Sequence, residues 1–355
     1  MSGVVVLRFC FAMRIALVAP VEETVPPVAY GGIEEMVHHL DHELTARGHQ
    51  VTLLASGGSS PSCRLVPLVA GPLGRPRTEE EVESIRARKD HAARSAARVI
   101  AEERPDVVLN HSWRALDYLG SFPSLTTVHY PLDAEPYRGI FFARRHAAYV
   151  AISNAQRRDG YGLTFAGTVY NGVDIEAFPY SPVQGNYLAF LGRISPDKGL
   201  DIAIRVAHTV GVPLKVAAKL DLVDRPWFEE VIAPLLQRGG VELIGEIPRH
   251  QKGHFLAGAI ALLHPSRWSE PFGLAAVEAM ACGTPVLALN RGAAAEIIQH
   301  GRTGFVVGDE VGLIANIDHL TLIDRSACRR HAAAKFGRGQ MAERYEELAL
   351  NMLNQ

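Results

Sequence analysis

The stretch IALLHPSRWSEPFGLAAVEAMACGTPVLAL, residues 260–289, contains a strand, a helix and a second strand in one uninterrupted run. The apolar runs at its two ends are short and aliphatic, which is typical of strands buried on both faces of a parallel sheet. Between them, Pro271 and Gly273 suit a turn into a helix, and Gly283 suits the end of that helix. This strand–helix–strand pattern predicts an α/β fold built on a parallel sheet.

The same alternation continues along the chain in both directions. In the first half, the predicted strands are residues 14–19, 50–55, 106–111, 125–129, 149–153 and 168–170. In the second half, they are residues 187–192, 214–218, 241–244, 260–264, 285–289 and 304–307. Residues 33–47 are predicted as an amphipathic helix that ends at Gly48. Two such arrays predict two doubly wound, Rossmann-like domains.

The boundary between the arrays is expected near residues 171–182, where an Asn-Gly-Val-Asp turn is followed by two prolines. We therefore predict an N-terminal Rossmann-like domain over 13–175 and a C-terminal one over 176–335. Residues 336–355 are predicted to form a helix that packs back on the N-terminal domain. Ligands of such domains bind beyond the carboxyl ends of the strands, so a site is expected in the cleft between them.

The composition excludes some classes of protein. Lys plus Arg number 36 and Asp plus Glu 38 among 355 residues, which argues against a general binder of nucleic acid or another polyanion. Hydrophobic residues make up 48%, enough for two cores. The four cysteines, Cys10, Cys63, Cys282 and Cys328, form no CxxC pair, which indicates a reduced, cytoplasmic chain.

The start of the chain resembles a short signal peptide between Val4 and Met13. Residues 13–20 fit better as the first core strand, and no small-residue cleavage site separates the two segments. Residues 1–12 are therefore interpreted as an upstream extension. No apolar run reaches the roughly 18 residues of a membrane span.

Two glutamates flank the predicted helix start in residues 270–286. Glu270 precedes the helix and Glu278 lies about two turns inside it, and carboxylates of this kind hold sugar and ribose hydroxyls well. The free amides of Phe272, Gly273 and Leu274 are expected to bind hydroxyl oxygens or an anion. On spacing alone, an acidic helix turn with a surface glutamate explains the pattern equally well.

Three further segments are candidates for the same cleft. Arg193 and Lys198, in the loop after the first strand of the second domain, can converge on a diphosphate, although ordinary exposed charges are the simpler explanation of each alone. Gly31 and Gly32 let the backbone approach a phosphate or sugar, or form a plain turn. His129 ends a predicted strand, at the sheet edge where sites gather.

A metal site is not expected. The group His38, His39 and His42 is interpreted as a solvated helix face rather than a set of ligands. The sequence contains no DxD, HExxH, GxSxG or phosphate-binding P-loop motif, and no dinucleotide fingerprint GxGxxG. The absence of DxD removes the usual device for holding a metal-bound diphosphate, and the absence of the fingerprint disfavours a nicotinamide dehydrogenase.

Together these segments resemble the family-4 retaining glycosyltransferases of the GT-B fold, from Met13 to the C-terminal helix. EPFGLAAVEAMACGTPV resembles the family's E-x7-E motif, GRISPDKG its diphosphate-binding G-R-x4-K-G, and NGVD its interdomain signature. PSRWSE and AAAEIIQHGRTGFVV fit neighbouring positions. The resemblance implies a metal-independent enzyme that moves a sugar from a nucleotide-diphosphate sugar to a hydroxyl acceptor with retention of configuration.

The resemblance also implies a role for each motif residue. Arg193 and Lys198 would bind the diphosphate, and Glu278 would hold the ribose. Glu270, Pro271 and the amides of the following residues would hold the donor sugar, with His129 beside the reacting centre. The remaining donor-side residues would be Gly31 and Gly32 near the phosphates, and Glu246 and Ile247 against the base.

Three departures from the family pattern leave the donor open. The loop at 291–295 lacks a second glycine, and residues 217–220 lack the usual G-x-G. The acidic and aromatic residues of 22–30 follow no family pattern. Lys219 in the second of these either adds charge near the phosphates or faces solvent. The chain also resembles members that decorate sugar-rich antibiotics, such as the orthosomycins, without a motif that assigns it to them. UDP, TDP and GDP all stay open as donor nucleotides, with UDP first.

Rival functions are a GT-B sugar-nucleotide epimerase, a phosphorylase that would need pyridoxal phosphate, and a non-enzymatic sugar-binding protein. For the transferase, the expected partners are a nucleotide-sugar donor and a small-molecule or glycoside acceptor, with no nucleic acid and no integral membrane segment. Acceptor recognition is expected in loops of the first domain, where the sequences of residues 64–88 and 130–145 are particular to this chain.

Overall fold

The computed structural model of the protein describes residues 12–76 and 78–354. The expectation of an upstream extension therefore falls, apart from Ala12, outside the described residues, as does Cys10. Within the described ranges, no helix is long and apolar enough to cross a bilayer.

Thirteen strands in the described ranges form two parallel sheets, one in each domain. The first sheet contains β1 (Arg14–Val18), β2 (Gln50–Ser56), β3 (Arg64–Val69), β4 (Val107–Asn110), β5 (Ser124–Val128), β6 (Tyr149–Ala151) and β7 (Phe165–Thr168), in the order β3-β2-β1-β4-β5-β6-β7. The second contains β8 (Leu188–Ile194), β9 (Leu214–Leu220), β10 (Val241–Gly245), β11 (Ala261–His264), β12 (Val286–Leu289) and β13 (Gly304–Val307), in the order β10-β9-β8-β11-β12-β13.

Helices cover both faces of each sheet. The first domain carries α1 (Gly32–Ala46), α2 (Glu79–Glu103), α3 (Tyr137–Phe142) and α4 (Asn154–Asp159). The second carries α5 (Leu200–Val210), α6 (Arg225–Trp227), a π-helical turn (Phe228–Ile232), α7 (Ala233–Leu236), α8 (Arg249–Ala257), α9 (Leu274–Ala281), α10 (Ala294–Ile297), α11 (Glu310–Ala315) and α12 (Arg325–Phe336). The chain ends in α13 (Arg338–Leu353), and single 3-10 turns lie at Ala115–Asp117, Ile175–Ala177, Pro196–Lys198, Leu222–Asp224 and Asp318–Leu322.

The predicted fold class is confirmed: two doubly wound parallel sheets form a GT-B architecture. Strand order reverses between β1 and β4 in the first sheet and between β8 and β11 in the second. At such a switch point the loops on either side diverge and open a crevice beyond the carboxyl ends of the strands. The two crevices face each other.

Two local predictions were wrong. Residues 64–88, expected as a loop, contain strand β3 and the start of α2, and among the described residues between them only 70–76 and 78 lie outside these elements. β3 carries Pro67 and lies at the edge of its sheet, where the missing N–H of proline breaks no internal ladder. The strand expected at 168–170 ends instead at Thr168.

The C-terminal helix α13 belongs to the core of the first domain. Its Met341, Tyr345 and Leu348 are buried with β1, β2 and α1. To reach this position the chain crosses between the domains a second time, directly beside the first crossing. Val173 of the first crossing accepts a backbone hydrogen bond from Arg338 at 3.0 Å and donates one to Phe336 at 2.9 Å.

Candidate functional site

A cleft of about 1330 Å³ lies between the domains. All of the residues that the sequence predicts for a donor site line it. These are Gly31, Gly32, His129, Arg193, Lys198, Glu246, Ile247, Glu270, Pro271, Phe272, Gly273, Leu274 and Glu278. The fold therefore gathers at one surface five segments that are far apart in the sequence.

Glu270 is the best-held carboxylate of the cleft. Its Oε2 accepts hydrogen bonds from Lys198 Nζ at 2.5 Å, from Trp268 Nε1 at 2.8 Å and from Ser266 Oγ at 3.0 Å. Burial acts to raise the pKa of Glu270, but the charge of Lys198 and these hydrogen bonds lower it to about 2. The side chain is therefore ionised, and its second oxygen, Oε1, forms no hydrogen bond with any described residue.

Lys198 is placed by two contacts, the Glu270 carboxylate and the ring of Trp268, which its ammonium approaches to 4.5 Å from the centroid. It reaches the cleft because Gly199, at φ 72°, turns the chain from a 3-10 turn into α5. The predicted diphosphate lysine and the predicted sugar carboxylate are thus one ion pair, which the sequence spacing did not indicate.

Arg193, at the end of β8, is held by two aspartates. Its Nη2 donates to Asp197 at 3.3 Å, and its Nε lies 3.7 Å from Asp224 Oδ2. Burial acts to lower the pKa of Arg193, but Asp197 and other nearby charges raise it, so the guanidinium stays charged. Its Nε has no hydrogen-bond partner in the described part of the chain. This N–H is buried beside Asp224, so Arg193 faces the cleft with the rest of its guanidinium.

Glu278, in the middle of α9, is buried and pairs with a residue that the sequence reasoning missed. Lys252 of α8 donates from Nζ to Glu278 Oε1 at 3.0 Å and also lines the cleft. Burial acts to lower the pKa of Lys252, but Glu278 raises it. The two residues stand on different helices, so no local motif indicated the pair.

The two glycine turns bring backbone close to the cleft. A Cβ on Gly32 would lie 3.8 Å from Leu274 Cδ2 of the other domain, while one on Gly31 would clash with Pro27 Cβ at 2.7 Å. Gly273 has φ 95°, a left-handed conformation that favours glycine, and it directly precedes α9. Its backbone therefore presents the first amides of α9 to the cleft.

His129 lies immediately after β5 and contacts a second histidine. Its Nε2 is 3.1 Å from Nδ1 of His111, which lies immediately after the neighbouring strand β4. Burial lowers the pKa of His129 to about 3, so the imidazole facing the cleft is neutral. His111 was not singled out from the sequence, although its place at a strand end is the same signal that identified His129.

Lys219 lies on β9 and lines the cleft. Its ammonium lies 3.5 Å from Asp221 and 5.7 Å from the centroid of the Tyr30 ring, so it faces the cleft wall rather than open solvent. Arg75 of the first domain donates to the same Asp221 at 3.0 Å. Glu246 and Ile247 follow β10, and Ile247 is buried.

Of the three histidines of α1, His42 is partly exposed, with 42% of its side chain accessible, whereas His39 is buried. His39 is 2% exposed and lies 3.2 Å from Glu35 Oε1. The interpretation was wrong for His39, because its partner Glu35 also pairs with Arg249 of α8, so this side of α1 meets the second domain. Among residues 12–76 and 78–354, no group of three or more His, Cys, Asp or Glu side chains has the arrangement of a metal site.

Comparisons with known proteins agree with this geometry. Residues 30–177 match the family model described as Glycosyltransferase Family 4, and residues 175–332 match the model described as Glycosyl transferases group 1. A glycogen synthase from Mycobacterium tuberculosis (strain CDC 1551 / Oshkosh) is 27% identical, over 87% of this chain and 86% of its own.

Solved structures show the same architecture. AviGT4, a glycosyltransferase involved in avilamycin A biosynthesis, is 26% identical with a TM-score of 0.72, over 96% of this chain and 98% of its own. Anabaena HepE, solved in complex with UDP and glucose, has the same fold at 19% identity, with a TM-score of 0.72 over 96% of this chain and 100% of its own. Since the two family models together span residues 30–332, the chain belongs to the family-4 glycosyltransferases of the GT-B fold, enzymes that transfer a sugar from a nucleotide sugar.

Proposed function

We propose that this enzyme transfers a sugar from a nucleoside-diphosphate sugar, with UDP as the favoured carrier, to a hydroxyl acceptor with retention of anomeric configuration. The proposal rests on the hydrogen bonding of the Glu270 carboxylate. Three donors saturate its Oε2 while its Oε1 stays free in the cleft. A carboxylate held in this way suits binding of donor-sugar hydroxyls.

The same hydrogen bonds disfavour Glu270 as a nucleophile. Three donors and a pKa of about 2 make it a weak base and a weak nucleophile. The proposal is therefore same-face attack by the acceptor as the diphosphate leaves, which retains configuration. The departing phosphate would take the acceptor proton.

Charge on the leaving diphosphate would be stabilised by Arg193 and Lys198 and by the first amides of α9. The reaction needs no metal in this proposal, because these two fixed cations line the cleft and Lys219 adds a third. Lys198 would exchange part of its contact with Glu270 for the phosphate oxygens, which couples sugar binding to the leaving group.

Glu278 would hold the ribose. Lys252 occupies its Oε1, and its Oε2 forms no hydrogen bond with any described residue. UDP is the first nucleotide to consider because HepE, of the same fold, was solved with UDP and with UDP-glucose. The similarity to AviGT4 supports a role in natural-product biosynthesis. Among the residues that the structure describes, Cys63, Cys282 and Cys328 are free thiols, in keeping with a cytoplasmic location.

The test begins with calorimetric titration of UDP, TDP and GDP. Binding of one of them, followed by turnover of its sugars with a panel of hydroxyl acceptors, is expected, and NMR of the product should show the donor's anomeric configuration. Activity should persist in EDTA. No binding of any of the three nucleotides would overturn the proposal, and conversion of the donor without an acceptor would point to an epimerase instead.

A further inference from the structure

His111 is a buried histidine that the proposed transfer mechanism does not use. It follows β4 and His129 follows β5, and these neighbouring strands pair Asn110 with Thr126. The register sets the two imidazoles side by side, with ring centroids 5.3 Å apart and His111 Nδ1 3.1 Å from His129 Nε2. His111 is 1% exposed, whereas His129 lines the cleft.

Both rings are neutral near physiological pH. Burial lowers the pKa of His129 to about 3 and holds the pKa of His111 well below its ordinary range. A neutral imidazole has one N–H donor and one acceptor nitrogen. The hydrogen bond between the rings therefore runs in one of two directions, and each direction fixes the proton position on both histidines.

The surroundings of His111 select the direction. Its Nε2 is buried and has no hydrogen-bond partner among the described residues. The ring packs edge-on at 5.8 Å from that of Tyr345, whose hydroxyl is already bonded to Thr127 Oγ1 at 2.8 Å. If His129 donated, the proton of His111 would sit on this isolated Nε2. Buried N–H groups without an acceptor are rare in folded proteins, which favours the arrangement in which His111 carries its proton on Nδ1 and donates it.

We infer that His111 is a positioning residue that fixes His129 as the tautomer with its proton on Nδ1. Nε2 of His129 is occupied as an acceptor, and Nδ1 has no hydrogen-bond partner among the described residues. His129 therefore offers the cleft an N–H donor. It binds a ligand oxygen, such as a sugar hydroxyl or a phosphate oxygen, and it does not act as a base that removes the acceptor proton.

The tautomer can be measured without a substrate. In protein labelled with 15N-histidine, long-range proton–nitrogen NMR distinguishes protonated from bare ring nitrogens, and the His129 signals are identified by their loss in His129→Asn. We expect a protonated Nδ1 and a bare Nε2 on His129 in the wild type. A proton on Nε2 instead would overturn the inference.

Two substitutions of His111 separate positioning from packing. His111→Phe keeps a ring against Tyr345 but removes the donor, so the proton of His129 should redistribute towards Nε2. His111→Asn keeps a donor and should retain more of the wild-type tautomer. An unchanged His129 tautomer in His111→Phe would show that His111 does not fix it. Circular dichroism and the melting temperature identify any variant that fails to fold.

The catalytic consequence rests on the proposed function and has its own readout. With the donor that the wild type turns over, His111→Phe should lower kcat about tenfold, the size of one neutral hydrogen bond, with little change in the donor KM. Unchanged kcat despite an altered tautomer would overturn the role in transfer. If the wild type turned over no nucleotide sugar but showed the expected tautomer, the proposed function would fail and the proton assignment would stand.

Discussion

The guanidinium of Arg249 and the carboxylate of Glu35 meet across the domain boundary, with Nε 2.7 Å from Oε1 and 2.8 Å from Oε2. Glu35 lies in the first turn of α1, beside the glycine turn, and Arg249 begins α8 of the other domain. The amide of Arg249 also donates to the Val28 carbonyl at 3.2 Å. The residues on either side of the glycine turn are thus bonded to the helix that carries Lys252.

Breaking this contact should open the cleft. Burial acts to raise the pKa of Glu35, but His39 and Arg249 lower it to about 2, so the carboxylate is ionised at neutral pH. We expect Arg249→Ala to raise the donor KM and to increase the radius of gyration measured by small-angle X-ray scattering. Arg330→Ala, which removes an exposed pair with Asp324 outside the cleft, is the matched control. An unchanged radius and KM would show that the contact does not hold the domains together.

Lys198→Ala should lower kcat/KM by about a hundredfold, because it removes a fixed cation from the leaving group. Unfolding in denaturant should change much less than activity. Lys215→Ala, which removes a lysine outside the cleft that pairs with Glu242, should leave turnover unchanged. Near-wild-type turnover by Lys198→Ala would contradict the assignment of the diphosphate site.

Glu278→Gln should weaken ribose recognition without slowing the chemical step. We expect the donor KM to rise about tenfold, the size of one hydrogen bond to a charged group, with kcat nearly unchanged. Titration with UDP and 2′-deoxy-UDP gives the specific measurement. The affinity difference between the two should be large in the wild type and small in the variant, and an equal difference in both would place the ribose elsewhere.

Glu34 should make the stability of the protein depend on pH. It is buried in the cleft, forms no ion pair with a described residue, and burial raises its pKa from 4.5 to about 7. Since the native pKa lies above that of the unfolded chain, its contribution to stability is present below about pH 4.5 and is lost as pH rises through about 7. Glu34→Gln should therefore stabilise the protein at pH 8, by at most ~3 kcal/mol, and have little effect at pH 4.5. Urea unfolding at the two pH values checks this, and equal effects at both would contradict it.

Gly273→Ala places a side chain at φ 95° beside the cleft, with the new Cβ 3.4 Å from His264 Nε2. Gly301→Ala is the matched control, since Gly301 has φ 74° and open space around its Cβ position. Both variants should lose about 1–3 kcal/mol of stability from backbone strain. Only Gly273→Ala should lower activity. Equal activity in the two variants would show that this turn takes no part in donor binding.

The doubly wound architecture could be predicted because buried parallel strands leave short aliphatic runs, as at Leu188–Ile194 and Val286–Leu289. β3 was missed because Arg64 and Pro67 interrupt its run of apolar residues. As an edge strand it pairs with one neighbour only, so it does not need the continuous apolar sequence of a strand inside the sheet. The ends of β7 are set by its pairing with β6, and the sequence of β7 alone does not show where that pairing starts and stops.

The cleft residues were predictable where a motif is local and unpredictable where a partner comes from another element. Glu270 and Glu278 share one helix start, and their roles stay predictions that the experiments above address. Lys252 and His111 reach their partners through the packing of α8 on α9 and of β4 on β5. Sequence spacing does not encode such contacts, so both residues were missed.

The paired crossings at Val173 and Arg338 also restrict how the enzyme can move. Two chain segments joined by backbone hydrogen bonds bend together about one axis but resist twisting about their own length. We therefore expect any opening of the cleft to be mainly a rotation about these two crossings. We therefore expect the hinge, rather than the substrate alone, to set how accurately His129 on one domain and Glu270 on the other approach each other.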